Sequence, residues 1–291
     1  MSTWPIKTIN QKLKKYPNLL RQIADAPQEL YCRGNLELLD SPCFAVVGTR
    51  KLTSYGKEAA ERLVSELANH FTIVSGLAYG IDAMAHQAAL DADGKTIAVL
   101  GAGVNDECIG PPSNFNLAME ILKNDGLIVS EYPAGFHANP KTFPQRNRII
   151  SGLSKGVLVV EADFDSGSLI TARCALDQNR DVFAVPGSIF SSRSSGTNHI
   201  IQKGAKLVTS VNDILEEYGK NLELFPKTSN DISTENDVEK KILDILDEKG
   251  ELSADEIVRT AGLETSTIAA ALSLLELKSK IKKSGNGKFR K

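Results

Sequence analysis

The sequence predicts an α/β protein with a doubly wound, mainly parallel sheet, followed by a small winged-helix-like α domain. From about residue 43, the chain repeats a short apolar run rich in β-branched residues, a glycine or polar turn, and a segment with helical periodicity. The apolar runs are continuous rather than alternating, as in parallel strands that helices cover on both faces. Beyond about residue 237, three short helical segments follow one another without such runs.

Seven apolar runs are the candidate strands, and the segments between them are long enough for helices. In such a sheet, ligands bind beyond the carboxyl ends of the strands. The first 38 residues are too few for a separate domain of ordinary size. The candidate strands are residues 43–48, 72–76, 96–101, 127–131, 156–162, 181–187 and 206–210.

A polar stretch at residues 220–236, which includes Pro226, is predicted to be a linker. After it, residues 237–250, 253–262 and 265–280 are predicted helices, the second with Ser253 and Glu256 as a capping box. The last ten residues could form a small hairpin wing. This outline is typical of a winged helix-turn-helix, but trihelical bundles that do not contact DNA share it.

The charge is nearly balanced overall but segregated along the chain. The 291 residues hold 34 Lys and Arg against 36 Asp and Glu, so the average points to no anionic partner. Residues 213–264 hold 15 acids and 6 bases, whereas residues 141–206 hold 9 bases and 5 acids. Residues 278–291 hold 7 bases and no acid. Each basic segment is either an interaction surface or simply a solvated face.

The cysteines and the N-terminus indicate a cytoplasmic protein. The four cysteines are far apart, and no C-x-x-C pair suggests a disulfide framework or a metal site. The first residues lack the apolar core of a signal peptide, and no apolar run approaches the roughly 18 residues that span a bilayer. No membrane partner is therefore expected. The cysteines are Cys32, Cys43, Cys108 and Cys174.

Two glycine-containing motifs resemble nucleotide-binding loops but lie in the wrong context. Residues 89–96 nearly match a P-loop, yet a predicted helix precedes them and a strand follows, the reverse of what phosphate binding requires. The GAG at residues 101–103 follows a strand, but Asp106 stands where a dinucleotide fingerprint has its last glycine. Neither motif supports a bound cofactor, and none is predicted.

Three other loops follow a strand and open a helix, where backbone N–H groups can bind anions. They are residues 48–56, 75–82 and 162–172. The first loop also carries Arg50 and Lys51. Each loop alone could be an ordinary tight turn, but three at one sheet edge favour a phosphate-lined pocket. The candidate binding residues in these loops are Arg50, Ser75, Gly76, Gly167, Ser168 and Thr171.

The run KTFPQRNRIISGLS at residues 141–154 combines arginines with an aromatic residue just before a predicted apolar helix. Arginine binds phosphates bidentately and an exposed aromatic ring can stack on a base, as in proteins that bind single-stranded nucleic acid. The candidates are Phe143, Arg146, Asn147 and Arg148. Alternatively, Phe143 is a core residue and Arg146 pairs with Glu131 or Glu161, and the periodicity does not separate these interpretations.

Several of these runs, in this order and spacing, resemble the DNA processing protein A family (DprA, also called Smf). The resemblance covers roughly residues 16–210. Near the start it includes YPNLL and PQELYCRGN, and its later motifs are GTRKLTSYG, SGLAYGID, EYPAG, FPQRNRIISGLS, SGSLITA, AVPGS, GTNHII and KGA.

The resemblance implies a Rossmann-like domain at residues 39–219 that binds single-stranded DNA, forms a homodimer and performs no catalytic turnover. It further implies loading of the RecA recombinase onto incoming strands during natural transformation. Family members often carry a fuller N-terminal helical domain, of which residues 1–38 would be a short remnant. The C-terminal module at residues 237–291 varies in the family, so the resemblance assigns it no role.

The alternative is a nucleotide-binding or phosphoribohydrolase-type protein with a similar sheet. That group of enzymes is marked by a PGGxGTxxE run. The corresponding region reads PGSIFSSRSSGTN and lacks both the second glycine and the acid that follows. The catalytic glutamate of such an enzyme is therefore missing, and fold alone does not decide function.

Overall fold

The computed structural model describes residues 4–219, 234–263, 265–277, 280–283 and 288–290. It consists of two compact units, one up to residue 221 and one from residue 222 onward. In the described residues, no helix has both the length and the apolar character needed to cross a membrane.

The first unit contains nine strands and eight α-helices among its described residues. The strands are β1 Lys7–Asn10, β2 Glu29–Gly34, β3 Cys43–Val47, β4 Thr72–Ser75, β5 Thr96–Leu100, β6 Leu127–Ser130, β7 Gly156–Val159, β8 Asp181–Ala184 and β9 Lys206–Leu207. The helices are α1 Asn18–Arg21, α2 Ser54–Leu67, α3 Ile81–Asp91, α4 Phe115–Lys123, α5 Thr142–Leu153, α6 Ser168–Asp177, α7 Ser195–Gln202 and α8 Asn212–Leu215.

All nine strands form one sheet in the order β1-β2-β6-β5-β4-β3-β7-β8-β9. The seven predicted strands, β3 to β9, pair in parallel with one another, which confirms the predicted fold class. Alternate residues of each strand pack on opposite faces, since Ala45 and Val47 belong to one apolar cluster while Phe44 and Val46 belong to another. Helices α5 and α6 cover the first face, and α2 and α3 cover the second.

The N-terminal segment differs from the predicted helical remnant, because it contributes two strands to the sheet. Strand β1 pairs antiparallel with β2, and β2 pairs antiparallel with β6, with Tyr31 opposite Ser130. Alternate residues of β2, Leu30 and Cys32, are fully buried in the same cluster as α5. Helix α1 has only four residues. The prediction for residues 1–38 was therefore wrong, and no structural boundary lies near residue 39.

The strand order places a topological switch point between β3 and β7. From β3 the chain proceeds outward through β4 and β5 to β6, and then returns through α5 to β7 on the other side of β3. The loops that follow β3 and β7 consequently diverge toward opposite faces, which opens a crevice at the carboxyl edge of the sheet.

The second unit has its own apolar core, formed by residues such as Ile242, Ile257 and Leu272. The predicted capping box is confirmed, because Ser253 and Glu256 exchange hydrogen bonds. The predicted wing forms as a pair of antiparallel strands, and a third strand pairs with one of them to complete a small sheet. Most of the predicted linker lies outside the described residues. The elements are α9 Thr234–Lys249, β10 Leu252–Ser253, α10 Ala254–Ala261, α11 Thr265–Leu277, β11 Lys282–Lys283 and β12 Lys288–Arg290.

The four cysteines are free thiols. Burial raises the pKa of Cys32 to about 12 and that of Cys43 to about 11. Since the thiolate is the reactive form, these two side chains behave as small apolar core residues.

Candidate nucleic-acid interface

A cavity of about 1070 Å³ lies at the carboxyl edge of the sheet, at the switch point between β3 and β7. Its walls come from the loop after β3, the first turns of α5 and α6, the loop after β7, and the turn before α7. Of the ten predicted site residues, seven line it: Arg50, Phe143, Arg146, Asn147, Gly167, Ser168 and Thr171.

The loop after β3 places Arg50 and Lys51, both exposed, in the cavity wall. Glu161, which is buried after β7, anchors both ends of this loop. Its backbone carbonyl accepts a hydrogen bond from Thr49 N at 2.7 Å, and its carboxylate accepts bonds from Thr53 N at 2.9 Å and Thr53 Oγ1 at 2.7 Å. Thr53 in turn caps α2. The two cations are thus held on an anchored loop with their side chains in solvent.

Phe143 lies on the first turn of α5 and is partly exposed. The Arg50 guanidinium carbon lies 5.4 Å from the centroid of its ring, within the range of a cation–π contact. Phe143 is therefore not a core residue, and the cation and the ring form one side of the cavity together.

The start of α6 contributes hydroxyl groups and a backbone with open space in front of it. Ser168 and Thr171 are buried from water but line the cavity. A Cβ atom at Gly167 would meet no protein atom within 4 Å. The Gly167 carbonyl accepts a hydrogen bond from Asn147 Nδ2 at 3.2 Å, which ties α5 to α6. The first N–H groups of α6 already donate to atoms of the preceding turn, so the groups that this element offers to the cavity are its hydroxyls.

Arg146 forms part of the cavity floor, but its guanidinium is turned into the protein. Nη1 donates to the Gly76 carbonyl at 2.6 Å and also to the Val99 carbonyl. A Cβ at position 76 would collide with this guanidinium, so a larger residue there would displace it. Asp82 accepts a hydrogen bond from Gly76 N, and its burial raises the pKa of its carboxyl group while the charge of Arg146 opposes that rise. Arg146 thus organises the loop after β4.

Three predicted residues lie outside this cavity. Ser75 is fully buried, and its Oγ donates to the Val46 carbonyl at 2.7 Å. Gly76 lines a smaller neighbouring cavity of about 160 Å³, which shares Arg50 and Phe143 with the larger one. Arg148 forms ion pairs with Glu131 at 2.7 Å and Asp25 at 2.9 Å.

The arginine run is helical, whereas the sequence predicted that it precedes the helix. Helix α5 begins at Thr142, so Arg146 and Arg148 are two residues apart within it. At about 100° per residue, they point to nearly opposite sides of the helix. The alternative ion pair with Glu131 forms, but its partner is Arg148 rather than Arg146.

Sequence reasoning missed Arg193, which lines the cavity just before α7. Its Nη1 lies 2.6 Å from Asp163 Oδ2 on the loop after β7. Asp165, which is exposed, also lines the cavity. The cavity is therefore cationic on the β3 side and mixed in charge on the β7 side. The only signal for Arg193 was an isolated base among the serines of SSRSSGTN.

The fold and the cavity define a class: an α/β protein with a crevice at its switch point, walled by exposed cations, hydroxyls and an aromatic ring. Residues 7–219 match the family model of DNA recombination-mediator protein A, and residues 226–287 match the model of the DprA winged helix domain. The chain belongs to the DNA recombination-mediator protein A family. Its function is accordingly that of a DNA-processing recombination mediator.

Individual relatives agree with this assignment. The chain is 49% identical to DNA processing protein DprA of Streptococcus pneumoniae over 203 residues, which cover 70% of this chain and 71% of the relative. It is 48% identical to protein Smf of Escherichia coli over 212 residues, which cover 72% of this chain and 56% of the relative.

Two solved structures share the fold. The structure of DprA from Streptococcus pneumoniae has a TM-score of 0.69 and 46% identity, and the match covers 74% of this chain and 75% of that chain. DprA from Helicobacter pylori, solved to describe its single-stranded DNA binding mode, has a TM-score of 0.65 and 31% identity. That match covers 76% of this chain and 98% of that chain.

Proposed function

We propose that this protein binds single-stranded DNA in the cavity at the switch point. The observation that carries the proposal is the wall formed by Arg50, Lys51 and Phe143, in which two exposed cations lie beside a ring that one of them contacts. Proteins that bind single strands commonly combine a cationic groove, which follows the phosphate backbone of the strand, with aromatic rings on which the bases stack. The start of α6 adds the hydroxyl groups of Ser168 and Thr171 to the wall of the same cavity.

The predicted residues take different parts in this proposal. Arg50 and Lys51 contact phosphates, and Phe143 stacks on a base. Gly167, Ser168 and Thr171 bind the strand at the start of α6. The others act indirectly, because their polar groups are engaged with the protein itself: Ser75, Gly76, Arg146, Asn147 and Arg148.

We further propose that the protein loads RecA onto the bound strand, that it forms a homodimer in the cytoplasm, and that it performs no chemistry on the DNA. Membership of a recombination-mediator family supports these statements. RecA loading is tested by adding the protein to RecA and a single strand that is already covered by a single-strand-binding protein, and measuring strand exchange. The homodimer is tested by measuring the mass in light scattering. A monomer mass at micromolar concentration would count against the dimer.

The binding proposal is tested with Arg50→Ala. If Arg50 makes a charge-assisted phosphate contact, its removal should weaken binding of a single strand by about 1.5 to 3 kcal/mol. The slope of log affinity against log salt should also decrease by about 0.7 for each phosphate that the variant no longer neutralises. Fluorescence anisotropy in a salt series measures both.

Arg62→Ala is the matched control, since Arg62 is an exposed arginine on α2 that does not line the cavity. Duplex DNA and mononucleotides serve as competitors in the same assay. If Arg50→Ala bound single-stranded DNA with unchanged affinity, the proposal that this cavity is the binding site would be contradicted. Competition by mononucleotides at lower concentration than single strands would favour the nucleotide-binding alternative.

A further inference from the structure

Exposed apolar side chains line the β7 side of the cavity, and others lie on the turn that follows β8. Phe164 and Ile170 line the cavity and are 59% and 40% exposed. Ile189 and Phe190, on the turn between β8 and α7, are 84% and 94% exposed, the highest values among the large apolar residues that the structure describes. Single exposed apolar residues are common, but a cluster marks an interaction site.

Phe190 lies close to the cavity because of its position in the chain. Ser192, two residues further on, lines the cavity, and two residues span at most about 7.6 Å between Cα atoms. The turn that carries Phe190 is anchored at its base. Tyr55 Oη donates to the Pro186 carbonyl at 2.6 Å, and Asn198 exchanges hydrogen bonds of 3.2 and 3.0 Å with the backbone of Gly187.

Phe164 is also held in place without being covered. Its ring lies against His199, with centroids 4.9 Å apart, and more than half of the side chain remains exposed. Phe164, held against His199, and Phe190, on a turn that is anchored at its base, thus face solvent on the β7 and β8 side of the cavity, and β4 with its loop lies on the other side of β3.

The charges on this side disfavour a phosphate. Phe164 stands between Asp163 and Asp165, and the cation that the neighbouring turn contributes to the cavity, Arg193, is paired with Asp163. The exposed cations Arg50 and Lys51 lie on the loop after β3. A strand that places its phosphates near these cations and away from the two carboxylates turns its uncharged bases toward Phe164 and Phe190.

We propose that Phe164 and Phe190 form a base-stacking wall for the single strand, in addition to Phe143 on the cationic side. This inference rests on the proposed function, since it assigns the orientation of the strand within the same cavity. The occupant is a pair of nucleobases rather than an apolar protein segment, because the wall continues directly into a cavity that carries phosphate-binding groups.

The experiment compares Phe164→Ala and Phe190→Ala with the wild type on two probes of equal length, an oligothymidylate and a fully abasic strand. Stacking is worth at least about 1 kcal/mol per base, so each variant should bind oligothymidylate at least about fivefold more weakly. Because every phosphate contact remains, the salt slope should stay unchanged. On the abasic strand the variants should match the wild type.

Phe164→Trp and Phe190→Trp should retain the wild-type affinity, because they keep a stacking surface. Leu13→Ala is the matched control, an exposed apolar residue outside the cavity. A thermal melt of each variant verifies folding, and where an Ala variant unfolds, the Trp variant with the two probes decides.

If both Ala variants bound oligothymidylate with wild-type affinity, the proposed base-stacking wall would be contradicted, while the proposed function would still stand. Equal losses on both probes, or a decrease in the salt slope, would also contradict the wall, because the side chains would then act on phosphates or on the fold. A lower mass in light scattering with unchanged DNA affinity would assign the surface to self-association instead. Absence of salt-dependent binding by the wild type would overturn the proposed function itself.

Discussion

At the scale of single residues, neighbouring arginines serve different ends because the helix separates them. Arg146 and Arg148 are two positions apart, yet one is bound to backbone carbonyls at the cavity floor and the other to carboxylates outside it. Burial lowers the pKa of the Arg146 guanidinium, while the charge of Asp82 opposes this. The desolvation is offset by the two hydrogen bonds to carbonyls, which fix the loop after β4.

Arg148→Ala should destabilise the protein without changing how it binds phosphates. The substitution leaves Glu131 partly buried without its partner and breaks the link to Asp25, so a decrease of about 1 to 3 kcal/mol in the free energy of unfolding is expected. Urea unfolding measures this decrease, with Arg62→Ala as the control on an exposed arginine. A decrease in the salt slope of DNA binding at unchanged stability would show that Arg148 contacts the strand after all.

His86 should make the protein sensitive to acid. It is fully buried with Nδ1 2.7 Å from Thr96 Oγ1, and burial lowers its pKa from 6.5 to about 3, assisted by the charge of Arg146. The unfolded chain therefore binds a proton near pH 6.5 that the folded protein does not accept until about pH 3. The free energy of unfolding falls as pH is lowered through this window, by at most about 1.4 kcal/mol per pH unit from this group.

The measurement is urea unfolding of the wild type and His86→Gln at a series of pH values between these two pKa values. The carboxyl groups titrate in both proteins, including Asp82, whose raised pKa acts in the opposite direction. The difference between the two curves isolates the histidine. The wild type should lose more stability on acidification, and parallel curves would contradict the assignment.

At the scale of elements, the loop after β3 and the N-terminus of α2 depend on one side chain that follows β7. The Glu161 carboxylate accepts both donors of Thr53, and Gly56 leaves the space that it occupies. The carboxylate also sits near the positive end of the α2 dipole, where it is favourable. The position of Arg50 and Lys51 therefore depends on a side chain from another strand end, which holds their loop through Thr53.

Glu161→Gln should weaken both stability and DNA binding. The amide retains the shape but replaces one acceptor oxygen with a donor, which opposes a donor of Thr53 and should cost about 1 to 3 kcal/mol. The released loop should lower the affinity for single strands at low salt. Ser65→Ala, which removes from α2 a hydroxyl that donates only to the Glu61 carbonyl of the same helix, is the control. If Glu161→Gln were as stable as the wild type, the bonds between Glu161 and Thr53 would not be what holds the loop after β3.

The sequence predicted those elements whose signal is local. Strands such as β3 and β5 are buried on both faces and therefore read as continuous apolar runs, and the capping box at Ser253 and Glu256 carries its own spacing. Strands β1 and β2 were missed because they are short and mixed in polarity, and because they join the sheet through antiparallel pairing of β1 with β2 and of β2 with β6. The pairing of β2 with β6 joins residues about a hundred positions apart, which no local sequence pattern indicates.

For the candidate site, the sequence predicted the loops better than the side-chain directions. Glycines and hydroxyls at strand ends identified the edge at which the cavity lies. The roles of Arg146 and Arg148 depend on where α5 begins, and Pro144 within its first turn obscured that start, although proline is tolerated there. Arg193 and Phe190 belong to a turn whose path is set by hydrogen bonds with Tyr55 and Asn198.

At the scale of the whole molecule, each of the two units has a separate apolar core. Every described residue that lines the cavity belongs to the first unit. The second unit carries a basic end, with 7 bases and no acid in residues 278–291, of which Lys282 and Lys283 form β11. A winged helix with a basic end has the chemistry for a duplex DNA contact, but the single-strand cavity does not require it.

Truncation after residue 221 should therefore leave single-strand binding largely intact. The remaining chain retains the complete sheet, both helical layers and every residue that lines the cavity, so it should fold cooperatively and keep the salt slope that Arg50 and Lys51 confer. Anisotropy titrations of the truncated and full chains, on single-stranded and duplex DNA, measure this. Loss of most single-strand affinity would move the main site to the basic end, whereas loss confined to duplex DNA would assign that binding to the winged helix.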